Sequence, residues 1–208
     1  MKKSMLLLMA FVCLVQINSL AQDHPFRIGT KVGLPNLAGM NLEYVTPALD
    51  GKLGVSVDGS YIPISIGRAA HGLLVDDLRV AISYFELGAN YYFFKPGRGL
   101  YGSASVGRLS VAATYKGMES SFDPSLVDGK AKASVSVTMM NLKIGAKLGK
   151  TFYFRPEIGY GISSGLPQTI RADVRYPDGT TETETTDLPG SGLFNGSVIF
   201  NIGFGFAF

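Results

Sequence analysis

Residues Val198–Phe208 read Val-Ile-Phe-Asn-Ile-Gly-Phe-Gly-Phe-Ala-Phe. The even positions are Val198, Phe200, Ile202, Phe204, Phe206 and Phe208; the odd ones are Ile199, Asn201, Gly203, Gly205 and Ala207. Alternation with a period of two is the mark of a β-strand, whose successive side chains point to opposite faces. One face here is entirely large and apolar, and the other is mostly too small to fill the core of a sandwich. A soluble strand would bury the large face and carry charge on the other. A small face turned inward and a large face turned outward suit a crowded barrel lumen surrounded by lipid.

The same signature recurs along the chain. Phe26, Ile28, Val32 and Leu34 alternate with Arg27, Gly29, Lys31 and Gly33. Met40, Leu42 and Tyr44 alternate with Asn41 and Glu43; Leu53, Val55 and Val57 alternate with Gly54, Ser56 and Asp58. Phe85, Leu87, Ala89, Tyr91 and Phe93 alternate with Glu86, Gly88, Asn90 and Tyr92. Leu142, Ile144, Ala146 and Leu148 alternate with Asn141, Lys143, Gly145 and Lys147. Phe152, Phe154, Ile158 and Tyr160 alternate with Tyr153, Arg155, Glu157 and Gly159. In Leu100–Ala113, Ala104 and Val106 set one phase and Leu109 and Val111 the other, which predicts a bulge or a weak register. With that segment the pattern predicts eight strands.

Short and long connections also alternate. Thr46–Gly51, Phe94–Gly99 and Gly149–Thr151 are tight, with Pro47, Asp50-Gly51 and Pro96-Gly97 as turn formers. Pro63–Asp77, Thr114–Ala133 and Gly161–Gly192 are long, while Pro35–Gly39 is short. Tight turns at one end and long loops at the other is the asymmetry of an outer-membrane barrel, with the long loops outside the cell. An even strand count puts both termini at the periplasmic end. Phe26, Tyr44, Phe93, Tyr101, Phe152 and Phe208 are predicted to form the periplasmic aromatic girdle, and Tyr61, Tyr115, Tyr160 and Phe194 the outer one.

Composition fits this picture. Hydrophobic residues make up 46% of the chain and charged residues 17%, with 26 glycines. That much apolar material excludes disorder. No apolar run reaches the roughly 18–20 residues that a membrane helix needs. The longest, Met5–Val15, follows Lys2 and Lys3 and precedes Ser19-Leu20-Ala21, the three parts of a secretory signal. The predicted domains are therefore a signal peptide, residues 1–21, cleaved between Ala21 and Gln22, and a barrel, residues 22–208. The single cysteine, Cys13, falls in the signal, and Val12 before it does not suit a lipoprotein cleavage site. The mature chain then relies on no disulfide. Without Lys2 and Lys3, the 19 basic residues fall to 17 against 16 acids, a formal charge of +1. So weak a field points away from nucleic acid.

Asn201, Gly203, Phe204, Phe206 and Phe208 carry a family resemblance. The order of a polar residue, a glycine and two aromatics separated by one residue, ending on phenylalanine, resembles the terminal signal of bacterial outer-membrane proteins. With the signal peptide and the eight strands, the chain resembles the small OmpA/OmpX/OmpW-like barrels, the "outer membrane protein beta-barrel domain" group. The resemblance implies an all-β, eight-stranded antiparallel up-and-down transmembrane barrel; with no residues left after Phe208 for a peptidoglycan-binding domain, a bare barrel is expected. It implies export through the periplasm and recognition of the last strand by the outer-membrane assembly machinery, with outer-membrane lipids as surroundings. It also implies, through the OmpW branch, a lateral route for small apolar molecules.

Eight strands leave an interior just wide enough for side chains. The inward residues include Arg27, Lys31, Glu43, Asp58, Glu86, Lys143, Lys147, Arg155 and Glu157. Charges in so narrow a lumen must pair or hold water. A structural salt-bridge plug is the expectation, with a narrow solute pore as the sharper reading. In the longest loop, Thr169–Tyr176 and Thr181–Thr186 flank Pro177-Asp178-Gly179-Thr180 and predict a β-ribbon above the membrane. Asp123-Pro124 and Asp128-Gly129 mark turns of a second one. Catalysis is not expected. His24 lies in the tail and His71 in a loop near Asp76 and Asp77, and no histidine–serine pair shares a strand face. Neither a cofactor nor a metal motif is present.

The expected function is a structural or surface-interaction role through long extracellular loops. The alternatives are a porin-like channel or transporter for small solutes or small hydrophobic molecules, and a soluble periplasmic lipocalin-type binding barrel. N-terminal sequencing of the exported chain is expected to begin at Gln22; a start at Met1 would contradict the signal reading.

Overall fold

The computed structural model describes residues 24–66, 78–118, 127–163, 165, 167, 169–187 and 196–208. The predicted signal peptide, its cleavage site at Ala21 and Gln22, His71, Phe194 and the Asp123-Pro124 turn lie outside the described residues. Ten strands are present: β1 Phe26–Leu34, β2 Leu37–Thr46, β3 Leu53–Ile66, β4 Leu78–Tyr92, β5 Gly99–Met118, β6 Gly129–Gly149, β7 Phe152–Ser163, β8 Thr169–Arg175, β9 Thr181–Asp187 and β10 Gly196–Ala207. Eight of them, β1 to β7 and β10, pair antiparallel into a closed ring, and β5–β6 completes the circuit. β8 and β9 form the ribbon, with the turn at Asp178-Gly179, and β8 pairs with the upper end of β6.

Each strand forms where the alternation lies. Along β10 the residues Asn201, Gly203, Gly205 and Ala207 are buried, and their large neighbours Phe200, Phe204 and Phe206 are exposed. β10 closes the ring by pairing with β1 from Arg27↔Ala207 to Leu34↔Phe200, and on its other side it pairs with β7. Small inward residues let the walls approach. An added Cβ on Gly145 would stand 2.5 Å from the Tyr101 hydroxyl, and one on Gly205 would strike the Ile28 carbonyl and the Tyr153 hydroxyl.

The register sets the tilt. A row across the ladder starts at Leu148 on β6, crosses every strand of the ring, and returns to β6 at Thr138. Its ends are ten residues apart on that strand, 148 against 138. A stagger of ten over eight strands corresponds to a tilt of about 40° and an axial rise of about 2.5 Å per residue. On that scale the outward apolar residues, from Phe208 at one end to Ile162 at the other, form a band roughly 25 Å tall, the height of a hydrocarbon core.

The predicted bulge in residues 100–113 is absent. β5 pairs with β4 and with β6 without interruption through this stretch, and the irregularity sits higher, between Lys116 and Met118. Leu109 and Val111 belong to the same inward phase as Ser103 and Ser105. The polarity of the two sides inverts at this height. Below Gly107 the inward residues are polar and the outward ones apolar. Above it, Leu109 packs inward on Tyr84, Val137 and Met139. Arg108, Ser110, Thr138 and Ser136 face outward, paired in register. Higher still, Tyr115 packs on Ala131, Val174 and Tyr176. β5 and β6 thus run past the band with their apolar residues turned inward, and much of the segment expected to be loop, Thr114–Ala133, is strand.

Two girdle assignments are corrected by the same ladder. Tyr101 is fully buried in the lumen, and Tyr115 lies in the inward cluster above the band. Phe26, Phe93, Phe152 and Phe208 at one end, and Tyr61 and Tyr160 at the other, are exposed on the outer face. Tyr44 is half-buried against Phe26, ring centroids 4.9 Å apart. Replacing Gly205 by Leu is expected to prevent closure, read as loss of the faster-migrating unheated band on a detergent gel. Retention of that band would show that the lumen is not packed as described.

Candidate functional site

The lumen is the candidate site, and its charged residues come from six of the eight strands of the ring. Strands β1 and β2 supply Arg27, Lys31 and Glu43; β3 and β4 supply Asp58 and Glu86; β6 and β7 supply Lys143, Lys147, Arg155 and Glu157. Each stands at an inward position of its alternation, and each is at most 5% exposed. They assemble into three tiers along the barrel axis.

In the tier nearest the tight turns, Lys147 and Glu43 form an ion pair. Glu43 Oε1 also accepts from the Tyr92 hydroxyl at 2.5 Å and from Asn90 Nδ2 at 2.9 Å. The Lys147 ammonium donates to the Tyr92 oxygen at 2.6 Å and lies 5.0 Å from the centre of the Tyr153 ring and 5.3 Å from that of Tyr92. Aromatic faces and a carboxylate thus surround a cation that has lost its water.

The middle tier is the most connected. Lys31 bridges Asp58 at 2.8 Å and Glu157 at 3.0 Å. Arg155 contacts Glu157 at 2.7 Å and donates to the Tyr101 oxygen and to Asn41 Oδ1, each at 2.6 Å. Asn41 in turn donates to Asp58 at 2.8 Å, and Asn201 of the terminal motif donates to Glu157 at 3.3 Å. In the outer tier Lys143 pairs with Glu86, which also accepts from Tyr84 and, at 3.0 Å, from Asn141. The apolar group Leu109, Val137 and Met139 packs against Tyr84, with Leu109 opposite it in register.

The site therefore holds five cations and four carboxylates. Arg27, the cation in excess, makes no ion pair among the described residues. Its guanidinium lies 6.0 Å from the centre of the Tyr92 ring and packs against Gly97 in the turn between β4 and β5. Charge patterning brought the nine charged residues into view, but not their neutral partners. Tyr84, Tyr92, Tyr101, Asn41, Asn90, Asn141 and Asn201 supply the hydrogen bonds that complete each tier. Most of them share the inward phase of their strands; Tyr101 does so too, on the phase that Ser103 and Ser105 set and not on that of a girdle residue. The arrangement can neutralise charge and fill space. It contains no group of His, Cys, Asp or Glu that could hold a metal among the described residues.

The remaining sequence-derived residues fall elsewhere. Gly203 lines the lumen, while Phe204, Phe206 and Phe208 lie on the outer face. Phe208 is tied to Phe26 by two backbone hydrogen bonds, at 2.9 and 3.0 Å. His24 is exposed just before β1.

No family model and no curated protein matches the chain. Solved structures similar to it include the following three. CarO of Acinetobacter baumannii is 13% identical, with 90% of this chain and 100% of that chain covered and a TM-score of 0.45. A major outer membrane protein from Thermus thermophilus is 10% identical, with 88% and 97% covered and a TM-score of 0.46. CarO2 of Acinetobacter baumannii is 13% identical, with 90% and 100% covered and a TM-score of 0.42. Likeness at this level carries no functional weight. The class is defined by the chain's own ladder: a closed eight-stranded antiparallel β-barrel, polar and ion-paired within and apolar without, on the same plan as outer-membrane barrels.

Truncating one partner of a buried pair strands the other charge, at a cost of about 3–5 kcal/mol. Lys147→Met is therefore expected to lower the unfolding free energy by about that much. Lys147→Met with Glu43→Gln should lose less than the sum of the two single changes. Both are read by denaturant unfolding in detergent. Additive losses would show that the pair is not coupled.

Proposed function

We propose that the chain is an integral protein of the bacterial outer membrane, exported through the periplasm. In this reading it is a closed barrel that presents extracellular strands and loops for structural or surface interactions. The observation that carries it is the inverted polarity of the ring. Outward Ile144, Ile158 and Val198 are each about 60% exposed or more, at 58%, 60% and 64%, whereas the lumen is filled with paired charge. A water-soluble barrel, the lipocalin-type alternative included, would place these properties the other way round.

The filled lumen favours a structural role over conduction. Three tiers of side chains, nearly inaccessible to water, stand between the tight-turn end and the apolar group at Tyr84. The ribbon β8–β9 favours interaction outside the membrane: it rises from the edge of β6 and presents Glu182, Glu184 and Asp187 on its last strand. The regular β10, with the terminal motif on it, suits recognition by the outer-membrane assembly machinery. The resemblance to the OmpA/OmpX/OmpW group belongs to this proposal. So does the expectation that the chain is not an enzyme, which rests on the sequence, where no histidine–serine pair shares a strand face.

Two measurements test it. Ile144→Arg sets a charge near the middle of the band and is expected to cost about 2–4 kcal/mol of stability in lipid vesicles. A cost near zero would mean that this face does not meet lipid. Planar-bilayer recording with the purified barrel is expected to show no conductance steps. Regular steps would replace the closed-lumen reading by the channel.

A further inference from the structure

The outer face of the ring is not uniformly filled. Along β10 the outward side chains are Val198, Phe200, Ile202, Phe204 and Phe206, without a gap. Between β2 and β5 two neighbouring register rows read differently. The lower row is Met40, Gly59, Phe85 and Arg108; the upper includes Tyr61, Ser83 and Ser110. Gly59 and Ser83 leave a groove of about 660 Å³, walled by Met40, Tyr61 and Phe85, with Arg108 at its edge. A Cβ added at Gly59 would meet nothing within 4 Å. The walls are exposed, Tyr61 at 68%. The volume falls in the range of about 300–1,000 Å³ typical of small-ligand sites.

Arg108 gives the groove a direction. It points outward, and it forms no salt bridge among the described residues. Eight residues of rise above Leu100 place it about 20 Å higher, at the outer edge of the apolar band. At that height an arginine on the lipid face costs far less than at the middle of the band, and an anion beside it turns the cost into a gain. The wall above continues the sign. Lys130 and Arg175 face each other in register there.

Resting on the outer-membrane reading, we propose that this groove binds an acyl chain of a phosphate-bearing lipid of the outer leaflet, with the lipid phosphate held by Arg108. A phosphate oxygen accepts from a guanidinium with the geometry that arginine favours, and the chain covers Met40, Tyr61 and Phe85 where the protein's own side chains are missing.

The test is native mass spectrometry of the detergent-purified full chain with dimyristoyl phosphatidic acid, dimyristoylglycerol or inorganic phosphate. Wild-type protein is expected to retain one phosphatidic acid at least tenfold more than diacylglycerol, and to retain no inorganic phosphate. Gly59→Phe, or Ser83→Leu should that variant fold poorly, is expected to abolish retention. Arg108→Gln is expected to erase the preference for the phosphate. Equal retention by wild type and all variants, or phosphate binding indifferent to the groove, would overturn the proposal. Heat-modifiable migration and vesicle insertion are measured on the same samples. Failure of those overturns the membrane reading, whereas a properly inserted barrel without lipid retention overturns this site alone.

Discussion

The ladder between Arg27–Leu34 and Phe200–Ala207 joins the first strand to the last, and with it every strand of the ring has a partner on both sides. In lipid there is no water to satisfy a free amide or carbonyl, so a sheet crosses only if it leaves no edge. Closure at a stagger of ten fixes the tilt, and the tilt fixes the height over which outward positions must be apolar. It also fixes the bore. A ring of eight strands this inclined leaves room for one layer of side chains from each wall, and the glycines facing Tyr101 and Tyr153 are what that room requires.

The narrow bore in turn dictates the chemistry of the lumen. Nine ionisable groups are withdrawn from water, which would be prohibitive for any one of them alone. They are tolerated because strands far apart in sequence bring opposite charges and neutral donors together: Lys147 to Glu43, Lys31 to Asp58 and Glu157, Lys143 to Glu86. Each tier ties together strands that are not neighbours in the ring, and Lys147–Glu43 spans it from β6 to β2. The network is thus less a source of stability than a condition of it, since breaking one link leaves a charge with nowhere to go. Its specificity lies in register, because a slip of one residue would turn all of these groups to the outer face.

The fold is legible in the chain where one environment prevails. β1, β7 and β10 lie mostly within the apolar band, so their alternation has a single meaning from end to end. That legibility fails on β5, where Leu109 and Val111 look like a change of phase. The backbone keeps its phase there, and the surroundings change. Above Arg108 the outer face carries Ser110 and Ser136 and the inner face packs on other side chains, so the apolar residues move inward without any bulge. Tyr101 and Tyr115 were misplaced for a related reason. An aromatic near the expected boundary fits a girdle, a lumen and a ribbon core equally well until its pairing partner is known.

Alternation, turn residues and the terminal motif determined by themselves that this chain makes eight antiparallel strands, which residues face inward on most of them, and that a ribbon rises from the longest loop. Those are local properties, written in a period of two and in residues that favour turns. Only the tertiary structure decided which charge meets which, where the polarity inverts, and that a gap at Gly59 stands beside Arg108. Each of these depends on the stagger between strands that are distant in sequence, and stagger is set by closure of the whole ring, not by any one segment.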